Sequence, residues 1–204
     1  MEPPVQPVYE PDPRFKHVKC ASSDGKIFMW GGMTSECYSK EDVQIKLTSV
    51  VELFDPYEEV WSQLLTKGAL PHPGFINPAS CLFGDDLFMY GGISNPDMTT
   101  PSECFSGVLS CLNTKTLTWL PPCVKTESGE QPMKKTGCGL VHFGLDKLAV
   151  IGGYGFPTGP TQSGSSFKRS FRHGDGRGYS NEFHVLNISQ GTVHVCEIDI
   201  STFV

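Results

Sequence analysis

The chain has 204 residues, of which 38% are hydrophobic and 19% charged, a globular balance that excludes disorder and allows one large domain or two small ones. Sixteen Lys and Arg against 22 Asp and Glu give a formal charge of −6, which argues against nucleic acid as the main partner, because phosphate binders are usually basic. Glycine (22) and proline (16) are abundant; that turn chemistry favours short strands over a helical bundle, and no stretch approaches the ~20 apolar residues of a membrane helix.

In chain order, residues 1–13 are rich in proline and predict a flexible segment. They lack a basic stretch followed by an apolar one, so no secretory signal is expected. A strand is predicted over residues 17–22, then a hairpin turn at Asp24-Gly25, then the apolar run Ile27-Phe28-Met29-Trp30 ending at Gly31-Gly32. After a variable polar loop come Val50 to Phe54, a turn at Asp55-Pro56, and Val60-Trp61. The order then recurs. Residues 79–83, Leu87-Phe88-Met89-Tyr90, Gly91-Gly92, residues 108–112, Asn113-Thr114 and Thr118-Trp119 form a second copy. Residues 138–143, Leu148-Ala149-Val150-Ile151, Gly152-Gly153, residues 183–186, Asn187 and Thr192-Val193 form a third. The double glycines stand 60 and 61 residues apart, and in every copy the Trp position falls at an offset of seven from the last residue of the third strand. Each unit therefore reads as four antiparallel strands, which cannot bury both faces alone and must stack on its neighbours. Radial stacking of four-stranded sheets is a β-propeller.

Four apolar residues, a double glycine, then an aromatic-Asp-Pro turn leading to Trp resembles the kelch repeat. Phe54-Asp55-Pro56 with Trp61 carries the pattern, Arg14 and His17 precede it as expected, and Leu112-Asn113 with Trp119 keep it. The third copy departs, with Leu186 for the aromatic and Val193 for Trp. The resemblance implies an all-β fold of kelch-type β-propeller blades over about residues 14–66, 77–122 and 136–199. Gly31, Gly32, Gly91, Gly92, Gly152, Gly153, Trp61 and Trp119 are its structural residues, the two tryptophans buried between blades. Propellers close with ~4 to 8 blades, so three four-stranded sheets predict an incomplete propeller with open blade faces that could self-associate. The third copy is also similar to the group of kelch domain-containing protein 2: Gly-Gly-Tyr-Gly, a long insertion, then Arg177-Gly178-Tyr179-Ser180-Asn181. That likeness implies a substrate-recognition propeller of cullin-RING ubiquitin ligases. It also implies a peptide pocket for a protein C-terminus, walled by Tyr154 and Tyr179. The basic residues Lys168, Arg169 and Arg172 in the same insertion are candidate carboxylate partners.

The eight cysteines contain no C-x-x-C, and in a chain without an export signal they read as reduced packing residues. The compartment is then cytoplasmic or nuclear. The six histidines show no metal-ligand spacing. G-x-G-x-x-G, G-x-S-x-G and P-loop motifs are absent. Asn187-Ile188-Ser189 is a formal glycosylation sequon, discounted for a chain without export. No metal, cofactor, membrane or nucleic acid is expected, and the chain reads as a protein- or peptide-binding module rather than an enzyme. An oxidase-type propeller enzyme and a self-assembling scaffold are the alternatives.

Overall fold

Each apolar run becomes a strand because the residues bounding it reverse the chain. At the first hairpin Gly25 takes φ 81°, and Ser22 N–H donates to Lys26 O at 2.8 Å. This joins β1 (Val18–Ala21) to β2 (Ile27–Trp30). A hairpin of β3 (Met33–Cys37) and β4 (Val43–Leu47) follows, then β5 (Val51–Asp55) and β6 (Val60–Leu64). The first blade is the antiparallel sheet β1-β2-β5-β6, with Trp30 opposite Val51 and Phe54 opposite Trp61. In this computed structural model residues 9–37, 43–71, 74–94, 105–121, 133–156, 177–180, 183–188 and 194–197 are described. None of them is helical.

The second blade contains β7 (Lys67–Gly68), β8 (Ala79–Phe83), β9 (Asp86–Tyr90), β10 (Leu109–Asn113) and β11 (Thr118–Leu120). Its sheet has five strands where four are predicted, because β7 runs parallel along the outer edge of β11. Lys67 N–H donates to Leu117 O at 2.9 Å. Gly68, at φ 86°, has no Cβ to overlap the Trp119 carbonyl. The third blade follows β12 (Lys134–Thr136) with β13 (Gly139–Phe143) and β14 (Lys147–Ile151). It continues through β15 (Tyr154–Phe156), β16 (Gly178–Tyr179), β17 (Phe183–Asn187) and β18 (His194–Glu197). Its blade sheet is β13-β14-β17-β18.

The blades fan out from their first strands: β8 lies against β1 on one side and β13 on the other. Strand alternation gives each blade two faces. The trailing face of the first blade (Val18, Phe28, Trp30, Val51) packs on the leading face of the second (Leu87, Met89, Leu112, Trp119). The trailing face of the second (Ala79, Phe88, Tyr90, Leu109) packs on the leading face of the third (Leu148, Val150, Leu186). The double glycines stitch these layers together. All six have positive φ, a region that costs an L side chain ~1–2 kcal/mol. Gly32 N–H donates to Phe75 O at 2.9 Å and Gly92 N–H to Lys135 O at 2.8 Å, each reaching into the segment that enters the next blade.

Above the blades lies a second layer of short pairings. The residue after each double glycine pairs with the chain entering its blade: Met33 with Phe15, Ile93 with Ile76, Tyr154 with Thr136. It also pairs with the chain returning toward the third strand: Met33 with Leu47, Ile93 with Phe105, Tyr154 with Tyr179.

Candidate functional site

This crown of short pairings positions the two tyrosines. The turn at Gly152 and Gly153, φ 62° and 109°, sends β15 out of the blade sheet. Ser180 N–H donates to Gly153 O at 2.8 Å and fixes β16 beside it. The same bond recurs from Ser106 to Gly92 at 2.9 Å and from Thr48 to Gly32 at 3.4 Å. A hydroxyl residue three positions before each third-strand run is thus a repeat signal that sequence reasoning missed. Gly155 lets β15 pass close to β12, where a Cβ would overlap the Lys134 carbonyl oxygen.

Tyr154 and Tyr179 are cross-strand partners with ring centroids 5.0 Å apart and planes tilted by 54°. Phe105, from the second repeat and buried, meets Tyr154 edge-on at 6.0 Å and Phe156 at 5.8 Å. Tyr179 is the outer member of this cluster, 60% exposed. The arrangement offers a rigid aromatic wall with a buried backing, suited to proline or apolar side chains of an extended segment. The equivalent positions are Met33 and Leu47 in the first repeat and Ile93 and Phe105 in the second, so two tyrosines stand together only in the third. Lys168, Arg169 and Arg172 lie outside the described residues.

Beneath the tyrosines Lys135 is fully buried, a residue sequence reasoning did not select. Its backbone bridges two blades, donating to Ser106 O at 3.1 Å and accepting from Gly92 N–H. A Cβ at Gly153 would come within 2.9 Å of Lys135 Cδ and of Cys138 Cβ. Burial raises the Cys138 thiol pKa, with the Lys135 charge working against the rise. In register, Lys135 corresponds to Phe75 and to Arg14. Arg14 pairs with Glu52 at 2.7 Å, the side chains 3% and 1% exposed. Tyr9 Oη also donates to Glu52, at 2.5 Å. Burial first, then this bond, holds the Tyr9 pKa up at about 12. Burial, then the Arg14 charge, lowers His17. Residues 9–14 are thereby tied across the leading face of the first blade.

Among the structural residues, Trp119 is buried, its ring 5.2 Å from Trp30 and its Nε1–H donating to Thr66 Oγ1 at 3.1 Å. Trp61 differs from expectation. It packs on Phe54 at 5.0 Å but is only half-buried, because no described blade covers the leading face of the first. Cys20, Cys81, Cys111 and Cys138 are free. Among the described residues no three of His, Cys, Asp and Glu are grouped to hold a metal ion.

No family model matches the sequence. The chain is 27% identical over 129 residues to Kelch domain-containing protein 3 of Bos taurus and of Mus musculus, covering 60% of this chain and 30% of each relative. It is 25% identical over 143 residues to Tip elongation aberrant protein 1 of Schizosaccharomyces pombe, covering 69% of this chain and 11% of that protein. The solved structure of YjhT superposes with a TM-score of 0.60 at 15% identity, covering 91% of this chain and 52% of that one. The chain therefore spans about half the length of the solved structure and under a third of these curated relatives. Its fold is that of kelch-type β-propeller blades.

Proposed function

We propose that the chain is a protein-interaction module that receives an extended peptide segment of a partner on its crown, against Tyr154 and Tyr179. The observation that carries this reading is the tyrosine pair itself: a cross-strand couple, backed by buried Phe105, with its outer ring 60% exposed. Soluble folds place recognition on such exposed loops over a rigid scaffold. The kelch name of its mammalian relatives supports an interaction module in general. The finer reading rests on the resemblance of the third repeat alone: a protein C-terminus as the segment, and a role as substrate receptor of a cullin-RING ubiquitin ligase in the cytoplasm or nucleus. In that reading Lys168, Arg169 and Arg172 meet the terminal carboxylate.

The test is titration of a peptide ending in Gly-Gly, and of its amidated form, against wild type, Tyr154→Ala and Tyr179→Ala. Binding in the high-micromolar range, roughly −5 kcal/mol, weakened by each substitution, is the expected result. Loss on amidation supports the C-terminus. Binding that amidation does not change leaves an internal segment as the ligand. Equal binding by all three proteins removes the tyrosine pair as the site.

A further inference from the structure

One position of the repeat holds a buried polar pair in the first and third copies and an opening in the second. In register, Glu52, Ser110 and His184 are equivalent, standing opposite Met29, Met89 and Val150. The residues entering above them are Arg14, Phe75 and Lys135, each one position before the crown pairings of Phe15, Ile76 and Thr136. In the first copy the place is filled. Arg14 meets Glu52 at 2.7 Å and Tyr9 donates to the same carboxylate. In the third, Lys135 and His184 are both buried. In the second, Phe75 stands edge-on to Trp30, ring centroids 5.9 Å apart, and Ser110 is shorter than either Glu52 or His184. A cleft of about 290 Å³ remains, its walls including Leu70, Pro71, Phe75, Val108 and Leu120, with Ser110 among them. The whole lining falls within residues 69–120, so the second repeat and the chain entering it complete the cleft by themselves.

The lining is selective. Leu109 and Cys111 face the third blade and Leu112 the first, so alternation turns Ser110 toward the first-blade side, where residues 69–75 pass. Ser110 is 4% exposed, and among the described residues its hydroxyl has no hydrogen-bond partner. A buried hydroxyl in that state is unfavourable until something supplies the missing bond. Leu70, Val108 and Leu120 are exposed and form the rim, so entry is from solvent. No charged side chain lines the cleft. Its occupant is therefore neutral and mostly apolar, with one hydrogen-bonding group. Small-molecule sites have this composition, apolar walls with a few placed polar groups. A cavity of about 150 Å³ takes benzene, so this cleft has room for two fused rings.

We propose that the cleft binds a free, neutral small molecule of fused-ring size, its rings against Phe75, Val108 and Leu120 and its polar group on Ser110 Oγ. The site is distinct from the tyrosine pair, since neither Tyr154 nor Tyr179 lines it.

The experiment uses the whole 204-residue chain, with Leu and Val methyl groups isotopically labelled, titrated by nuclear magnetic resonance. The probe is indole; 1-methylindole, which lacks the N–H, is its control. Indole should bind in roughly the millimolar range or tighter, with intermolecular Overhauser contacts to the methyls of Leu70, Val108 and Leu120. 1-Methylindole should bind about fivefold more weakly, the share of one hydrogen bond. Ser110→Ala should bind the two compounds equally, a result that packing alone does not produce. Val108→Trp, at an exposed position, should fill the cleft and abolish the contacts with unchanged circular dichroism. Leu120→Trp serves as a second filling variant. Absence of contacts at about 5 mM indole, above a millimolar Kd, overturns the proposal. So do contacts confined to other methyls, or a preference for indole that survives Ser110→Ala. Tighter binding of N-acetyltryptophanamide than of indole assigns the cleft to a partner's side chain and also overturns it. Tyr179→Ala should leave indole binding unchanged, so this site and the peptide site can fail separately.

Discussion

At the scale of single residues, Glu59 and Leu117 are among four non-glycine residues that hold a left-handed conformation in the described residues. Glu59 and Leu117 close equivalent four-residue turns at φ 57° and 54°. Asp55 and Asn113 start those turns, each side-chain oxygen accepting backbone N–H bonds from within the loop. The turn residues were legible in the sequence; the left-handed position at their end carries no glycine to announce it. Glu59 is exposed, so Glu59→Gly relieves strain and is expected to raise stability by up to about 1 kcal/mol, after the entropy cost of glycine is subtracted. Glu58→Gly, one position earlier, lowers it; urea midpoints for the two variants check the sign. Tyr9 gives a pH signature. Its pKa of about 12 in the folded chain lies above the ordinary 10.0, so the native state binds that proton more tightly than the unfolded one. The contribution is present in full below pH 10 and is lost as pH rises through 12. Stability should therefore fall more steeply between pH 10 and 12 in wild type than in Tyr9→Phe, as read by denaturant titration at each pH.

Among the elements, the blade strands were readable because period, length and turn chemistry agree. Ile27–Trp30 and Asp86–Tyr90 each end at a double glycine, and Gly84-Asp85 forms the two-residue turn of the second hairpin. The crown was not readable. Its pairings are one to five residues long, and β3, with the sequence MTSEC, lacks an apolar alternation. Thr136 and Tyr179 meet β15 from positions 43 residues apart, and no local pattern encodes such a meeting. The fifth strand of the second blade was missed for the same reason, since Lys67-Gly68 finds its partner across a whole repeat. Gly91 tests the stitching. At φ 73°, any Cβ there overlaps the Lys135 carbonyl, whereas Gly84, at φ 59°, faces open space. Both alanine variants carry the left-handed cost of ~1–2 kcal/mol. Gly91→Ala adds a backbone clash and should lose at least about 2 kcal/mol more, measured as the difference between the two denaturation curves.

For the whole molecule, stability is approximately the sum of what each blade contributes by itself and what its interfaces with neighbouring blades add, as in other stacked repeats. Two tryptophans at one repeat position separate these contributions. Trp119 sits between two blades and Trp61 on the leading face of the first, which no described blade covers. Trp119→Ala should cost ~3–5 kcal/mol, the range for large buried side chains, and Trp61→Ala about half of that or less, by thermal or urea unfolding. The phase of the double glycines made the propeller architecture legible, and the third repeat's motif picked out Tyr154 and Tyr179. Phe105 escaped notice because it reaches the candidate site only across a blade boundary, and Lys135 because it pairs with Gly155 through a three-residue strand that carries no apolar pattern. The stitch from each double glycine also sets an order of events during synthesis. Gly32 waits for Phe75, and Gly92 for Lys135, each 43 residues downstream. At roughly 5–20 residues per second on the ribosome, that leaves a newly made blade unfastened for roughly 2–9 s. Each of the first two blades must spend that interval with its trailing face bare, and it is the translation of the next repeat that ends its exposure.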